Sequence, residues 1–368
     1  MKPEKIKLGV LGCYRGAGIV KGISESGVAV LRAICDKRED RIASAKETLS
    51  KDITADTLVF SSYDEMLASD IDAVLVATDA PLHVTHVLMA LEAGKHVLSE
   101  IPTVYSIEEA KLLKDAVLSH PELTYMAGEN CCFWENIRTM KKMYDDGKLG
   151  EIVYAESEYL HCERTPEQYK PYDDPDYWRA RLPAIRYLTH NLGPLLYILD
   201  DEVETVSCYV PDFDQNKYKT EKGVGVALFK TKKGAVIRIL ICFGAYVGCN
   251  HGFSLYGSHG TIITDRTKSL STAHCFAKLS EFPESRENAI EIPVTISGGD
   301  TKASGNGDTK ASGHGGADYK MLLEFVRCIR SGERPALDVD FGIRMSLPGI
   351  IAEQSYKNGN AALPIPKI

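Results

Sequence analysis

The stretch Ile6-Lys7-Leu8-Gly9-Val10-Leu11-Gly12-Cys13-Tyr14-Arg15-Gly16-Ala17-Gly18 decides the fold. Ile6–Leu11 is a short apolar run that enters a glycine-rich turn, and a helix is expected from about Gly16. Strand, tight turn and helix in that order make a dinucleotide-binding unit. Glycine is needed where the turn is tight and where backbone approaches a pyrophosphate, and the helix N-terminus then holds the phosphate charge. Gly12 is the first glycine; Tyr14 stands where G-x-G-x-x-G has its second, and Ala17 stands at the third. Gly12, Tyr14, Arg15 and Gly16 are therefore candidate cofactor contacts. The next strand, Val28–Asp36, ends in an acid at about the spacing this fingerprint requires. An acid there accepts from both ribose hydroxyls and repels a 2′-phosphate, so Asp36 favours NAD over NADP. Lys37 and Arg38 stand beside it and soften that preference; Arg38 joins the candidate contacts. The competing reading of Asp36 is a turn or helix-capping acid.

The pattern continues outward as strands alternating with helices. Asp40–Leu49 has helical composition, and Ser62-x-x-Glu65 and Ser106-x-x-Glu109 are capping boxes that start helices. Ala73–Ala77 is a buried strand, His83–Ala93 its helix with Gly94 as C-cap, and His96–Ser99 and Leu123–Ala127 are further strands. Such alternation means an α/β Rossmann domain, a doubly wound parallel sheet. Ligands sit at the carboxyl ends of strands in these sheets. That makes Thr78, His83 and Glu100 candidate cofactor residues, in Thr78-Asp79-Ala80-Pro81-Leu82-His83 and Glu100-Ile101-Pro102. His83 and His86 lie one helical turn apart; a helix face is the preferred reading, and no metal is assigned.

Near Gly150 the pattern changes. Ile152–Leu160 alternates apolar and polar residues, and a polar stretch from Pro166 to Pro183 leads to a helix holding Tyr187 and His190. Val203–Tyr209, Val224–Lys230, Ala235–Phe243, Phe253–Gly257 and Thr261–Asp265 are expected to be strands, followed by helices at Asp318–Ile329 and about Phe341–Tyr356. This predicts an α+β C-terminal domain with an open antiparallel sheet whose outer face pairs with another subunit. The expected domains are 1–128 and 129–368, with the C-terminal helix able to pack back on the first. Gly-Asp-Thr-Lys-Ala-Ser-Gly occurs at 299–305 and again at 307–313, just before His314. It reads as a duplicated surface loop or as a mobile lid.

The 368 residues suit two domains, and 43 basic against 51 acidic residues give a net charge of -8. That balance argues against nucleic acid or an anionic membrane as main partner. No stretch is apolar enough for a membrane span, and the N-terminus carries no apolar export signal, so a cytoplasmic protein is expected. The ten cysteines form no C-x-x-C pair and are expected to be reduced thiols.

Ala77-Thr78-Asp79-Ala80-Pro81-Leu82-His83, Leu91-Glu92-Ala93-Gly94-Lys95-His96 and Glu100-Ile101-Pro102 together resemble the glucose–fructose oxidoreductase/inositol dehydrogenase (Gfo/Idh/MocA) family. The resemblance implies an N-terminal Rossmann domain and a C-terminal domain on an open antiparallel sheet. Dehydrogenases of that family usually carry Glu-Lys-Pro, and here the middle residue is Ile101. The NAD-dependent glycosidases of glycoside hydrolase family 109 have an apolar residue there. Further segments are similar to theirs: Glu129-Asn130-Cys131-Cys132-Phe133, Glu158-Tyr159-Leu160-His161, Tyr187-Leu188-Thr189-His190-Asn191-Leu192-Gly193-Pro194 and His314-Gly315-Gly316-Ala317-Asp318-Tyr319. Asn130 joins the cofactor candidates by that resemblance.

Such glycosidases imply hydride removal from carbon 3 of a sugar, proton loss from carbon 2, departure of the aglycone, addition of water and return of the hydride. NAD is then tightly bound and recycled. By resemblance His190 takes the carbon 3 hydroxyl proton. Tyr159 is the expected carbon 2 base and His161 its neighbour or a leaving-group contact, because residues two apart on a strand share a face. Tyr187 lies one turn before His190 and shares its face. Arg164, Trp178, Arg179 and His314 are candidate substrate contacts, although the arginines also fit a solvated basic face. Three readings stay open: a glycoside-cleaving enzyme, an ordinary sugar or cyclitol dehydrogenase, and an NAD-binding sensor. A homodimer or homotetramer through the C-terminal sheet is expected.

Overall fold

The computed structural model describes residues 5–161, 177–211, 223–243, 250–266, 274–294 and 316–368. Arg164, His314 and the 299–313 repeat lie outside them. The described residues fall into two compact units, 5–133 with 316–343 and Ile368, and 134–294 with 344–367. The division falls between Phe133 and Trp134, and the segment 316–343 belongs with the first unit.

In the first unit, β1 (Ile6–Leu11), β2 (Ala29–Cys35), β3 (Leu58–Phe60), β4 (Ala73–Val76), β5 (His96–Ser99) and β6 (Tyr125–Ala127) form one sheet in the order β3-β2-β1-β4-β5-β6. Every neighbouring pair is parallel. The strand order reverses between β1 and β4, which is where a doubly wound sheet opens its ligand crevice. Every residue of β4 is 0% exposed, as expected of a strand covered on both faces. The helices are α1 (Cys13–Val20), α2 (Glu39–Thr48), α3 (Tyr63–Leu67), α4 (His83–Glu92) and α5 (Ile107–Ser119). Both expected serine N-caps form. Ser62 Oγ accepts from the Glu65 N–H and Ser106 Oγ from the Glu109 N–H, while Glu109 Oε2 accepts from the Tyr105 N–H. The first helix starts at Cys13 rather than near Gly16, because Gly12 takes φ 92° and lets the chain turn straight from β1 into α1.

The second unit carries α6 (Glu135–Asp145), β7 (Ile152–Leu160), α7 (Trp178–Arg181), α8 (Thr189–Leu199), β8 (Val203–Tyr209), β9 (Val224–Thr231), β10 (Val236–Cys242), β11 (Asn250–Gly257), β12 (Gly260–Thr264), β13 (Cys275–Leu279), β14 (Ile290–Ile292) and β15 (Leu363–Pro364). Its sheet runs β14-β13-β12-β11-β7-β10-β9-β8-β15. The sheet is mostly antiparallel rather than wholly so, since β7 and β10 are parallel. The reason is topological. β7 is inserted between β10 and β11, successive strands that run in opposite directions, so it must be parallel to one of them. β13, β14 and β15 were not anticipated from the sequence.

Along β7 the residues alternate. Ala155 and Ser157 are buried, while Tyr154, Glu156 and Glu158 face the other side. There Glu156 pairs with Arg238 and Arg266. The last helices are α9 (Ala317–Ser331), in the first unit, and α10 (Val339–Lys357). Among the described residues no helix is long and apolar enough to cross a membrane.

Candidate active site

The first unit builds a cradle from the turn after β1. A Cβ on Gly12 would lie 2.3 Å from the Ala77 carbonyl oxygen and 2.9 Å from Thr78 N, so the two strand-end turns meet backbone to backbone. The Gly12 N–H donates to the Cys35 carbonyl, 3.0 Å, and the Ala77 N–H to the Leu11 carbonyl, 2.8 Å. The turn is thereby clamped from both sides. Asp36 sits just past β2, and its two oxygens accept from backbone N–H groups of Cys13 and Arg38 at 2.8 and 3.0 Å. Each carboxylate oxygen has a second lone pair, so these bonds orient Asp36 without exhausting it. Arg38 turns its guanidinium to Asp40 at 3.0 and 2.6 Å. Tyr14 is helical and 76% exposed, with the Arg41 guanidinium 4.0 Å over its ring. Gly16 is buried, and its absent Cβ makes room for Val10 Cγ1.

Arg15 is held within the protein. Its Nη1 and Nη2 donate to the two oxygens of Asp318 at 2.7 and 2.8 Å, and its Nε lies 3.1 Å from Glu100 Oε1. Asn130 Nδ2 donates to the same Asp318, 2.7 Å, whose carboxylate is fully buried. The glycine turn, the end of β5, the turn after β6 and the start of α9 are thus joined through one buried carboxylate. Charge-assisted bidentate pairs of this kind are among the stronger hydrogen bonds. Asp318 was quoted in the sequence only inside a motif; its partnership with Arg15 spans most of the chain.

Thr78 and His83 form a second junction. The buried His83 ring places Nε2 2.9 Å from the Thr78 carbonyl and Nδ1 3.0 Å from the Pro102 carbonyl, joining the turns after β4 and β5. Thr78 Oγ1 meets His86 Nδ1 at 3.0 Å, and burial pushes the His86 imidazole down to about 4. Ile101 is buried at 3% exposure. Burial, joined by the neighbouring Asp36 charge, pushes the Cys13 and Cys35 thiols up to about 12, so both remain thiols beside the turn. The close approach at Gly12, the oriented Asp36 and the start of α1 fit a dinucleotide.

The second unit gathers a cluster of rings on the inner face of its sheet. Tyr159 lies at the centre. Its ring centroid is 5.6 Å from His161, 5.9 Å from His190, 6.5 Å from Tyr187, 5.1 Å from Phe243 and 3.8 Å from His251. Tyr159 and His161 share a face as β7 alternation requires. Tyr187 and His190 were expected on one helix. They lie on two segments, Tyr187 closing a 3-10 turn (Ala184–Tyr187) and His190 in α8, because Pro183 enters extended and Leu188 stands between with ψ near zero. Their rings still meet, at 5.3 Å. Pro194 has no N–H to give the His190 carbonyl four residues back, which loosens that turn of α8. Asn191 Nδ2 donates to Ser157 Oγ at 2.5 Å and ties α8 to β7.

Arg179 and Trp178 border the cluster. Arg179 Nη2 donates to Tyr187 Oη at 2.8 Å, and its guanidinium lies 4.7 Å over the Tyr187 ring and 5.1 Å over Trp178. Arg186 instead pairs with Glu353 on α10 at 3.3 Å. Sequence reasoning missed His251, Phe243 and Trp134. His251 faces Tyr159 directly across the β7/β11 pairing and contacts Trp134 edge-on at 5.2 Å. Only strand register could have found it.

A dinucleotide cradle in one unit and a ring-lined sheet in the other define the class, an NAD-binding two-domain oxidoreductase. The family model for the GFO/IDH/MocA oxidoreductase family, NAD-binding Rossmann fold, matches residues 6–128, and that for the GFO/IDH/MocA C-terminal domain matches 137–263. The chain belongs to the Gfo/Idh/MocA oxidoreductase family and is an NAD-dependent enzyme. Residues 302–368 match the model for the glycosyl hydrolase 109 C-terminal domain. A glycosyl hydrolase family 109 protein of Solibacter usitatus is 25% identical, over 98% of this chain and 87% of its own length. An alpha-N-acetylgalactosaminidase of Shewanella oneidensis is 25% identical, over 99% and 85%. Among solved structures, levoglucosan dehydrogenase in complex with NADH and L-sorbose shares the fold at a TM-score of 0.84. It is 17% identical and the match covers 99% of this chain and 100% of that one.

Proposed function

We propose that this enzyme cleaves a glycoside by transient oxidation at carbon 3, elimination and rehydration, with no net redox change. Bound in the cradle, NAD supplies the acceptor and then the donor of the carbon 3 hydride. Gly12, Gly16 and the N–H groups opening α1 are assigned to its pyrophosphate, and Asp36 to the ribose hydroxyls, which favours NAD over NADP. The tethered Arg15, Glu100, Asn130 and His83 are assigned to shaping the cradle, and Thr78, Tyr14 and Arg38 to bordering it.

His190 takes the proton of the carbon 3 hydroxyl, a task suited to an imidazole near neutral pH. Tyr159 takes the proton of carbon 2, which the adjacent ketone has made acidic. His161 assists the leaving group, and Tyr187 fixes the ring of His190. Trp178 and Arg179 hold the sugar by stacking and hydrogen bonding. The observation that carries this reading is the phenol of Tyr159 surrounded by His161, His190 and His251. That is equipment for moving protons, which a sensor does not need. The apolar Ile101 favours glycoside cleavage over an ordinary dehydrogenase, whose lysine would stand there. A dehydrogenase remains the second reading, favoured by an inositol 2-dehydrogenase of Saccharopolyspora erythraea, 27% identical over 64% of this chain and 65% of its own.

A panel of nitrophenyl glycosides with NAD tests the choice. Nitrophenol release without net NADH supports the proposal. NADH accumulating in step with substrate loss refutes it. We also assign the outer face of the second sheet, where Tyr209, Leu228, Val236 and Ile263 are 55, 45, 40 and 37% exposed, to a homodimer or homotetramer contact. Light scattering after size exclusion checks it, and a monomer at micromolar concentration rejects it.

A further inference from the structure

His251 is given no step of its own in the assignments above, yet it makes the closest ring contact in the cluster. Its ring centroid lies 3.8 Å from that of Tyr159 with the planes 27° apart, a face-to-face stack. The other contacts of Tyr159 with His161, His190 and Phe243 are edge-on. The stack follows from register, since His251 on β11 is the direct partner of Tyr159 on β7. Strand pairing sets the two backbones directly opposite one another, which brings the two side chains into cross-strand contact. His251 is 4% exposed, and Trp134, itself 2% exposed, meets it edge-on. His251 and Trp134 are thus buried, while Tyr159 itself is half-buried.

We propose that His251 is a positioning residue for Tyr159, fixing its ring plane and, when protonated, stabilising its phenolate. The inference rests on the proposed role of Tyr159 as carbon 2 base. A cation over an aromatic face is favourable, and more so over a ring that carries negative charge. A neutral imidazole offers only dispersion in the same place. The proton step balances simply. The Tyr159 phenolate oxygen forms an O–H bond as the carbon 2–hydrogen bond breaks, and the electron pair passes into the enolate of the carbon 3 ketone. His251 exchanges no atoms in that step; it sets how readily the phenolate exists.

Other titratable groups face this pair. Tyr159 meets His161 from its own strand, His190 from α8, and Tyr187 from the 3-10 turn, with Arg179 of α7 donating to Tyr187. His251 meets His190 at 6.0 Å. Among these, only His251 lies against the face of the Tyr159 ring at stacking distance. Removing its charge therefore acts on the phenolate with the stack kept.

The test uses His251→Phe, which keeps an aromatic stack and removes the ionisable group, with His251→Ala as a variant that removes both. The direct readout is an ultraviolet phenolate titration of full-length protein, with the Tyr159→Phe curve subtracted to isolate one tyrosine. In the Phe variant the Tyr159 step should move up by about one pH unit, a factor of roughly ten in ionisation. The basic-side rise of kcat on the best glycoside should move with it. A titration unchanged in His251→Phe overturns the proposal. A shifted titration in a protein that cleaves no glycoside sustains the pairing and removes only the glycosidase reading. Identical shifts in the Phe and Ala variants assign the effect to charge. A shift in Ala alone makes the residue a packing contact and overturns the electrostatic role.

Discussion

Replacing Gly12 by Ala should cripple the cradle. The added Cβ would lie 2.3 Å from the Ala77 carbonyl oxygen and 2.6 Å from its carbon, at a residue with φ 92°. Positive φ costs an L-residue about 1–2 kcal/mol. Relieving the overlap requires backbone movement of about an ångström to reach ordinary contact. The Gly12 N–H to Cys35 bond and the Ala77 N–H to Leu11 bond resist that movement. Losing one of them leaves a buried backbone group unpaired, at about 1–3 kcal/mol. The total, about 2–5 kcal/mol, should lower the melting temperature by roughly 5–15 °C. NAD binding should weaken by about thirtyfold or more, at tenfold for each 1.4 kcal/mol. Gly18→Ala is the internal control. It lies in the same helix with no neighbour closer than Arg15 Nη1 at 3.9 Å, so it should stabilise by about 0.5–1 kcal/mol and leave binding intact. Calorimetric melting and titration calorimetry with NAD read both. A Gly12→Ala protein that binds NAD within threefold of the parent and melts within a degree of it would refute the reasoning.

Asp318→Ala should destabilise the first unit by about 1.5–3 kcal/mol, because it removes the bidentate acceptor of Arg15 and the acceptor of Asn130, leaving Arg15 its contact with Glu100. A double-mutant cycle with Arg15→Ala should recover about 1.5–3 kcal/mol of coupling, and a cycle that closes to zero rejects the pairing. Asp36→Asn turns one acceptor into an amide facing the Cys13 or Arg38 N–H. NAD affinity should fall about tenfold while NADP gains relative to it; an unchanged ratio of the two rejects the ribose assignment. His86 is held neutral in the fold and titrates near 6.5 when unfolded, so the unfolded chain binds more protons between those values. Its contribution is present above pH 6.5 and lost as the pH falls toward 4. The shift corresponds to at most about 3 kcal/mol, and to about 1–2 kcal/mol once solvent screening of a partly exposed ring is allowed for. His86→Gln should flatten melting temperature against pH across that window, and an unaltered slope would exclude His86 as its source.

The first sheet was legible because its signals are local. A strand buried on both faces reads as an unbroken apolar run, as Ala73–Val76 does, and a capping box lies within four residues. Tyr14 looked like a departure from the glycine pattern, and the structure gives the reason it is tolerated. α1 begins at Cys13, so Tyr14 is already helical and points outward, and only Gly12 meets the Ala77 backbone. β13 and β14 escaped because they are short, five and three residues, too few to establish a period against the surrounding polar sequence. The parallel β7/β10 pair escaped for another reason: insertion of one strand between two later ones leaves no mark in composition.

The same limit separates the candidate residues that local spacing brings together from those that it does not. Tyr159 and His161 are two apart on a strand, and Tyr187 and His190 three apart on one turn of chain, so short-range geometry pairs them in advance. His251 is brought to Tyr159 only by the register of β11 on β7, and Asp318 to Arg15 only by the return of α9 to the glycine turn. Neither contact has a local pattern to betray it. Both nonetheless engage the groups on which the proposed chemistry depends, one at the carbon 2 base and the other at the cofactor turn. A sequence read for spacing thus names the residues to which the chemistry is assigned, and the groups that contact them emerge from the pairing of distant segments. His251 is the sharper case: a one-residue slip of β11 would turn its side chain to the opposite face of the sheet and leave Tyr159 unstacked.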